Sequence, residues 1–363
     1  MSKVLLIAFL VFALTLKTHA QWKQATEPHP WSFPKDHGNH PEYQTEWWYF
    51  TGNLKNAANE PIGYQLTFFR QGARRDDPPL KSRWIFRDLY FAHFAVSYPS
   101  AKLFLKDQKT SRGALNTAGA APDSLHVWIE DWRVDEIAPD KFRLQADSEE
   151  FAIDLLLTVL KPPILQGNRG LSQKSSRKGN ASHYFSYTRL ETHGTVRIDY
   201  HEHLVTGSSW FDKEFSTSAL DPDQVGWDWF SIQLDNNHEL MLYIIRQSDG
   251  SASRFSKGAW VDPDGVKTDL NRDQFSIIPR DQWTSPKTKA TYPSGWTIRV
   301  PSLNLELEIT PRLLDQELSF RLGAQSIIYW EGACSAQGVF RGREIQGHAF
   351  AEITGYAAPV PLR

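Results

Sequence analysis

The sequence contains a single cysteine, Cys334, among its 363 residues, and it lacks several common catalytic signatures. One cysteine cannot form a disulfide within the chain, so stability must come from packing. There is no Gly-x-Ser-x-Gly elbow, which removes the usual support for a serine hydrolase. No glycine-rich phosphate loop or dinucleotide fingerprint occurs, and we therefore expect no cofactor.

The sequence also lacks an excess of either charge and any long apolar stripe at helical spacing. The 40 Lys and Arg residues nearly balance the 42 Asp and Glu residues, for a net charge of −2. Because basic residues are scattered among acidic ones, no basic stripe indicates nucleic-acid binding. The best helical candidate is short, at residues 279–283.

The first 20 residues are typical of an export signal. Lys3 supplies positive charge, and residues 4–16 form an apolar run that is too short to span a bilayer. Thr18 and Ala20 are small residues before the expected cut. We expect a cleaved signal peptide over residues 1–20, a periplasmic or secreted protein, and no stable membrane anchor after cleavage. A retained signal anchor is the alternative.

Alternation of apolar and polar residues runs through the rest of the chain. Residues 303–310 alternate along their length, and the apolar residues of 151–159 share one face, as in half-buried strands. Turn-forming residues at 235–237 and 262–265 separate further strands. Three short strands are expected between residue 327 and residue 355. Many short strands joined by turns predict an all-β barrel or sandwich fold.

The length of the chain after the signal suits two domains. A polar, turn-rich stretch at residues 216–225 marks the expected boundary. We therefore predict an N-terminal domain at residues 21–219 and a C-terminal domain at residues 220–363. The basic segment 167–179 is rich in Ser and Gly, and we expect it to be a solvated, mobile loop.

Three stretches place carboxylates among aromatic rings, in a chain with 14 tryptophans. In the stretch 210–215, an extended strand would put Trp210, Asp212 and Glu214 on one face. Two carboxylates on one face repel each other, so one tends to hold a proton and becomes a candidate general acid. The alternative is a surface face on which Lys213 pairs with the acids.

The other two stretches are residues 44–52 and 226–230. In the first, Glu46 shares a face with Trp48, and Gly52 can turn the chain. Glu46 could be an acid, could orient one, or could be a rim carboxylate beside core aromatics. In the second, Trp227 and Trp229 share a face and Asp228 points away.

Histidines also precede Glu46, at His37 and His40. Their spacing fits no strong metal-ligand pattern, and we expect no metal site.

Together these stretches resemble the motifs of the AttH/CrtC family, which includes bacterial carotenoid 1,2-hydratases and proteins labelled predicted secreted hydrolases. The matching motifs lie at residues 44–53, 184–190, 207–215, 226–230, 329–332 and 351–356. The resemblance implies two lipocalin-like (calycin) antiparallel β-barrel domains packed side by side, with an apolar site in or near their interface. It also implies relatives that hydrate an isolated alkene and others that fold a polyene for pericyclic closure.

Carried over by position, the resemblance nominates a set of site residues. The catalytic candidates are Asp212, Glu214 and Glu46, and the ligand-binding candidates are Trp48, Tyr184, Trp210 and Trp227. Lys213 stands where the family pattern has His. Because a permanent cation cannot shuttle protons as imidazole does, hydratase activity by that route is in doubt. The hydrolase label has no support from the residues.

Three functional hypotheses remain. The first is an exported protein that binds an apolar lipid- or isoprenoid-like molecule and hydrates its alkene by acid catalysis. The second is a non-catalytic periplasmic carrier or chaperone of lipid that works beside an ABC export system. The third is a pericyclase, which needs a shaped cavity and no acid.

Overall fold

The computed structural model describes residues 21–75, 86–218, 220–322 and 325–360. The predicted signal peptide lies outside these residues. The described chain forms 23 strands and five single-turn 3₁₀ helices. The 3₁₀ helices are Lys35–His37, Pro99–Ala101, Ala114–Asn116, Arg272–Gln274 and Pro301–Leu303. None of the helices in these ranges has the length and hydropathy that a membrane span requires.

Thirteen strands form the first antiparallel sheet. They are β1 (Thr45–Asn56), β2 (Pro61–Gly72), β3 (Asp88–Tyr98), β4 (Leu103–Ser111), β5 (Ala118–Ala120), β6 (His126–Ile129), β7 (Trp132–Ala138), β8 (Lys141–Asp147), β9 (Phe151–Val159), β10 (Ile164–Leu165), β11 (Leu171–Gln173), β12 (Ala181–Ile198) and β13 (His201–Ser218). The strand order is β4-β3-β2-β1-β13-β12-β9-β8-β7-β6-β5, with β10 and β11 paired to β12. Because β4 and β6 come into contact, this sheet is a nearly closed barrel.

Ten strands form the second antiparallel sheet. They are β14 (Gln224–Leu234), β15 (Glu239–Gln247), β16 (Lys257–Val261), β17 (Lys267–Asn271), β18 (Ser276–Thr284), β19 (Thr291–Val300), β20 (Leu305–Pro311), β21 (Glu317–Leu322), β22 (Gln325–Phe340) and β23 (Arg343–Thr354). The order is β17-β16-β15-β14-β23-β22-β20-β19-β18, and β21 pairs with β22. This sheet curls into a half-barrel, so the prediction of an all-β fold with two lipocalin-like domains is confirmed.

Each sheet wraps its own apolar core. On β1, Trp48 and Phe50 point into the first barrel, where they pack with rings such as Phe211. The intervening residues Trp47 and Tyr49 therefore point outward, toward the second sheet. The interior of the first barrel is filled by side chains, as in small barrels generally.

Several local predictions differ from the structure. Residues 279–283 lie in strand β18 and not in a helix, because most of them pair directly with β19. The three short C-terminal strands are two long ones, β22 and β23, which pair along most of their length. Gly52 does not turn the chain but lies inside β1, where a Cβ atom would meet the ring of Tyr64 at 2.2 Å.

Candidate functional site

A cavity of about 330 Å³ lies between the two sheets. Strands β1, β2, β3, β12 and β13 supply one wall from the outer face of the first barrel, and β14, β15, β22 and β23 supply the other. The aromatic residues that line it are Trp47, Tyr49, Phe69, Phe91, Tyr184, Trp227, Trp229, Tyr243 and Tyr329. The wall is therefore largely apolar, with a few carboxyl groups set into it.

Asp212 is buried at the centre of the first wall. Strand pairing places it opposite Tyr49 on β1 and opposite Ser186 on β12. Its carboxylate accepts hydrogen bonds from Tyr184 Oη at 2.7 Å, Ser186 Oγ at 2.5 Å and Trp210 Nε1 at 2.7 Å. Burial raises the pKa of Asp212 to about 7, although these three hydrogen bonds favour the ionised form. Near neutral pH this group can therefore either give or take a proton.

Glu214 lies two residues further along the same face, beside a buried cation. Its Oε1 is 3.3 Å from Lys174 Nζ, which also lies 4.5 Å from the ring centroid of Tyr243. Burial is the largest single influence and lowers the pKa of Lys174, but Glu214, Tyr243 and Asp212 together outweigh it and leave the pKa above its ordinary value. The prediction of a solvated loop at 167–179 is thus wrong for Lys174, whose side chain is 12% exposed.

Two further carboxyl groups come from the second sheet. Glu331 and Glu352 are direct partners across β22 and β23, and both line the cavity. The hydroxyl group of Tyr49 donates a hydrogen bond to Glu331, and Trp227 Nε1 donates a hydrogen bond to Glu352 at 3.1 Å. Burial, followed by the charge of Glu352, raises the pKa of Glu331 well above its ordinary range. Burial also raises the pKa of Glu352 to about 7.

The structure brings together five of the seven residues nominated from the sequence. Asp212, Glu214, Tyr184 and Trp227 line the cavity. Trp210 does not line it but reaches Asp212 through its indole N–H. In the stretch 226–230, the predicted orientation of Trp227 and Trp229 toward one face and of Asp228 toward the other is also confirmed. Trp229 lines the cavity, while Asp228 pairs with Arg246 outside it.

The other two nominated residues, Glu46 and Trp48, lie on the opposite face of β1 and do not line the cavity. Glu46 is fully buried among cations: Lys213 Nζ and Arg70 Nε both contact it, the latter at 3.0 Å. Burial opposes ionisation of Glu46, but Lys213 and its neighbours outweigh burial and hold its pKa far below the ordinary value. The structure gives Glu46 an ion-paired position at the barrel end.

Lys213 points the same way as Glu46, because it alternates with Asp212 and Glu214 along β13. Its Nζ lies 3.7 Å from the ring centroid of Trp48. The replacement of the expected His by Lys213 therefore changes the surroundings of Glu46 and leaves the cavity wall intact. The doubt that this replacement raised about a hydratase does not extend to the cavity acids.

The site residues that sequence reasoning missed are Glu331, Glu352 and Lys174. The two glutamates lie within matched motifs, and each alternates along its strand with buried apolar neighbours. Such alternation is also typical of a strand with one exposed polar face, so the matched motifs were the only signal that the sequence offered. Lys174 carried no such signal, because only the packing of its segment against β12 buries it.

Comparisons with known proteins agree with this architecture. The sequence profile of the AttH-like family matches residues 24–356. The crystal structure of an AttH protein from Nitrosomonas europaea superposes with a TM-score of 0.81 at 32% identity, covering 92% of this chain and 99% of that one. Kievitone hydratase from Nectria haematococca shares the fold, with a TM-score of 0.67 at 14% identity over 93% of this chain and 96% of that one.

A curated relative is also found. The dehydratase asqC of Emericella nidulans is 21% identical over 222 residues, which are 58% of this chain and 60% of that protein. The match thus spans about three fifths of the relative's length.

Proposed function

The chain belongs to the AttH-like family, and we propose that it is a hydro-lyase that adds water to, or removes it from, an apolar alkene held between its two sheets. The observation that carries the proposal is Asp212, a buried carboxyl group with a pKa near 7 on the wall of an aromatic cavity. A general acid works best when its pKa lies near the working pH. A dehydratase and a hydratase among the similar proteins support the same class of reaction.

In the proposed reaction, protonated Asp212 transfers its proton to one alkene carbon, and the π bond becomes a C–H bond and a carbocation. The ring faces of Trp227 and Trp229 stabilise that cation, by about 2 kcal/mol for a desolvated contact. Water then forms a C–O bond with the cation. Its surplus proton passes to a carboxylate of the wall, and Glu214, beside Asp212, is the proposed acceptor. Dehydration is the reverse sequence.

The size of the cavity limits the substrate. An engineered cavity of about 150 Å³ holds one benzene molecule, so about 330 Å³ accommodates roughly 12–15 carbon atoms. An isoprenoid chain of that length, or the end of a longer lipid, fits this volume. We propose that the protein meets such a ligand in the periplasm or outside the cell, after removal of residues 1–20.

A carrier function is the second candidate, because an apolar cavity with few polar groups can hold a ligand without chemistry. In that case the protein would pass a lipid to or from an ABC export system. The carrier and the hydro-lyase differ in one observable, the covalent state of the ligand.

The experiment starts from protein purified from its own host. Native mass spectrometry identifies the retained ligand, which is then extracted and incubated with fresh protein in H₂¹⁸O. If the protein is a hydro-lyase, the ligand gains or loses one water, and a hydrated product carries ¹⁸O. Asp212→Asn and Glu214→Gln should each abolish this change. Asp228→Asn is the control, since Asp228 lies outside the cavity, and it should remain active.

Other outcomes separate the alternatives. A ligand that stays unchanged in all proteins supports the carrier. A rearranged product of unchanged mass supports a pericyclase. Full activity in both carboxylate variants removes the proposed mechanism.

A further inference from the structure

The segment that precedes β1 closes one end of the first barrel. Glu46, Phe215 and His183 lie at that end on the barrel's inner face, and strand pairing places Phe215 between the other two. His40 stacks on Phe215 with ring centroids 3.6 Å apart. His29 packs edge-on against the same ring at 5.3 Å. Histidines of the segment therefore converge on the barrel side of β1, which is the face opposite to the inter-sheet cavity.

Three side chains at this barrel end place atoms that can bind a metal ion close to one another. His29 Nε2 lies 3.1 Å from Asp36 Oδ1, and His40 Nε2 lies 3.2 Å from the same oxygen. All three atoms lie within 4.8 Å of one another. In a tetrahedral zinc site with bonds of about 2.0–2.1 Å, the ligand atoms lie about 3.3 Å apart. The two distances to Asp36 Oδ1 are close to this value.

We propose that His29, Asp36 and His40 bind a divalent transition metal ion, zinc by the chemistry of the donors, and that this ion fastens the segment before β1 to the end of the barrel. Imidazole nitrogens with a carboxylate oxygen are common zinc ligands. The inference is independent of the proposed hydro-lyase function, because the site lies on the other face of β1.

The surroundings of His40 match those of a metal ligand. Its second nitrogen, Nδ1, lies 2.9 Å from Glu46 Oε1. A ligating histidine usually donates its other N–H to a carboxylate, which fixes the ring and directs the remaining lone pair at the metal. Without a metal, each nitrogen of His40 pairs with a carboxylate, Asp36 on one side and Glu46 on the other, which is the competing arrangement.

The carboxylate of Asp36 is oriented so that one of its oxygens can bind a metal ion. Its Oδ2 accepts the backbone N–H of Ser32 at 2.5 Å, so Oδ1 is the oxygen directed at the two histidines.

His183 supplies an independent sign that the barrel end accommodates a ligand. It is buried, and its Nδ1 has no hydrogen-bond partner in the part of the chain that the structure describes. Its ring lies 5.4 Å from that of His29, while its Nε2 pairs with Tyr43 Oη. A buried polar atom without a partner is costly, and a water molecule bound to the metal would satisfy it.

The test measures zinc directly. The protein is loaded with Zn²⁺, desalted and analysed by elemental mass spectrometry. We expect about one zinc per wild-type chain, and a loss of affinity of at least tenfold in His29→Asn and in Asp36→Asn. His126→Asn is the matched control, because His126 forms a comparable pair with Asp135 on β7 and should keep the metal.

A second measurement does not depend on the variants. Cobalt(II) bound in tetrahedral geometry gives intense visible absorption, and chelation should lower the melting temperature of the wild type. His29 is only partly buried, so its variant should fold, as near-ultraviolet circular dichroism can verify. A wild-type protein that retains no zinc and shows no cobalt spectrum would overturn the proposal. Equal zinc in the wild type and in folded His29→Asn would overturn it as well.

Discussion

Asp212 on the first sheet and Glu352 on the second both hold a raised pKa of about 7, and burial is the main cause for each. The folded protein therefore keeps protons that the unfolded chain releases at lower pH. Such a group contributes stability below its ordinary pKa, and that contribution is lost as the pH rises through the folded-state pKa. The cavity is thus stable when its acids are neutral, which is also the state in which Asp212 can donate a proton.

Glu352→Gln should remove part of this pH dependence. The ordinary pKa of Glu352 is 4.5 and the folded value is about 7, so the wild type loses roughly 3 kcal/mol through this group between those pH values. Chemical denaturation should show the variant near wild-type stability at pH 4.5 and more stable than the wild type at pH 8. Glu344→Gln, an exposed change on the same strand, should give no such difference. A stability difference that is the same at both pH values would contradict the assignment.

Tyr49 links the sheets through a single hydroxyl group. It lies on β1 of the first sheet and donates to Glu331 of the second, whose other carboxyl oxygen has no partner among the described residues. Tyr49→Phe keeps the ring but leaves the buried carboxyl group without its donor, at a cost of about 1–3 kcal/mol. Urea denaturation should show this loss, while Tyr200→Phe, which changes an exposed hydroxyl, should leave the midpoint unchanged. An unchanged midpoint for Tyr49→Phe would mean that the hydrogen bond contributes nothing.

At the scale of the strand, β1 and β13 divide their residues between two different environments. Alternation sends Trp48 and Lys213 toward the barrel and sends Tyr49 and Asp212 toward the cavity. The alternation itself could be predicted from the sequence, as could the shared face of Asp212 and Glu214. Strands such as β9, at Phe151–Val159, were likewise evident from their period of two.

Which face meets the cavity could not be predicted from the sequence. Both faces of β1 carry aromatic residues, because one fills the barrel and the other is covered by the second sheet. A strand buried on both sides has no polar face to identify the outside. Glu46 and Trp48, which the family resemblance nominates, lie on the barrel side, whereas Trp47 and Tyr49 are the residues on the cavity side. The pairing of Glu331 with Glu352 depends on the register of β22 and β23, which local sequence does not determine.

Gly52 shows how packing, and not a turn, can require glycine within a strand. A Cβ atom there would lie 2.2 Å from the ring of Tyr64 and 2.8 Å from Ser209 Oγ. Gly52→Ala should therefore destabilise the protein by about 1–3 kcal/mol through overpacking. Thermal denaturation should show a smaller cost for the same change in a Tyr64→Leu background, where the ring is absent. An equal cost in both backgrounds would assign the glycine to backbone conformation instead.

At the scale of the whole molecule, polar contacts join the two sheets both in the cavity wall and away from it. Beside the Tyr49 contact, His93 of the first sheet lies 2.8 Å from Tyr329 Oη of the second. Away from the cavity lining, Glu239 of β15 is fully buried between two cations that belong to the first sheet's part of the chain, Lys161 at 2.7 Å and Arg189 at 2.5 Å. Because these contacts run from one sheet to the other, they can fix the relative position of the two cavity walls.

Glu239→Gln tests whether the buried cluster holds the two sheets together. The change removes the only negative charge in contact with Lys161 and Arg189 in the described chain, and removal of one partner from a buried ion pair costs about 3–5 kcal/mol. Because the loss falls on the junction, the variant should also separate one unfolding transition into two in calorimetry. Glu306→Gln is the matched control, since it breaks an exposed pair with Arg299, and it should change stability little. If Glu239→Gln still unfolds in a single transition at the wild-type temperature, the sheets are held together by apolar packing around the cavity and not by this cluster.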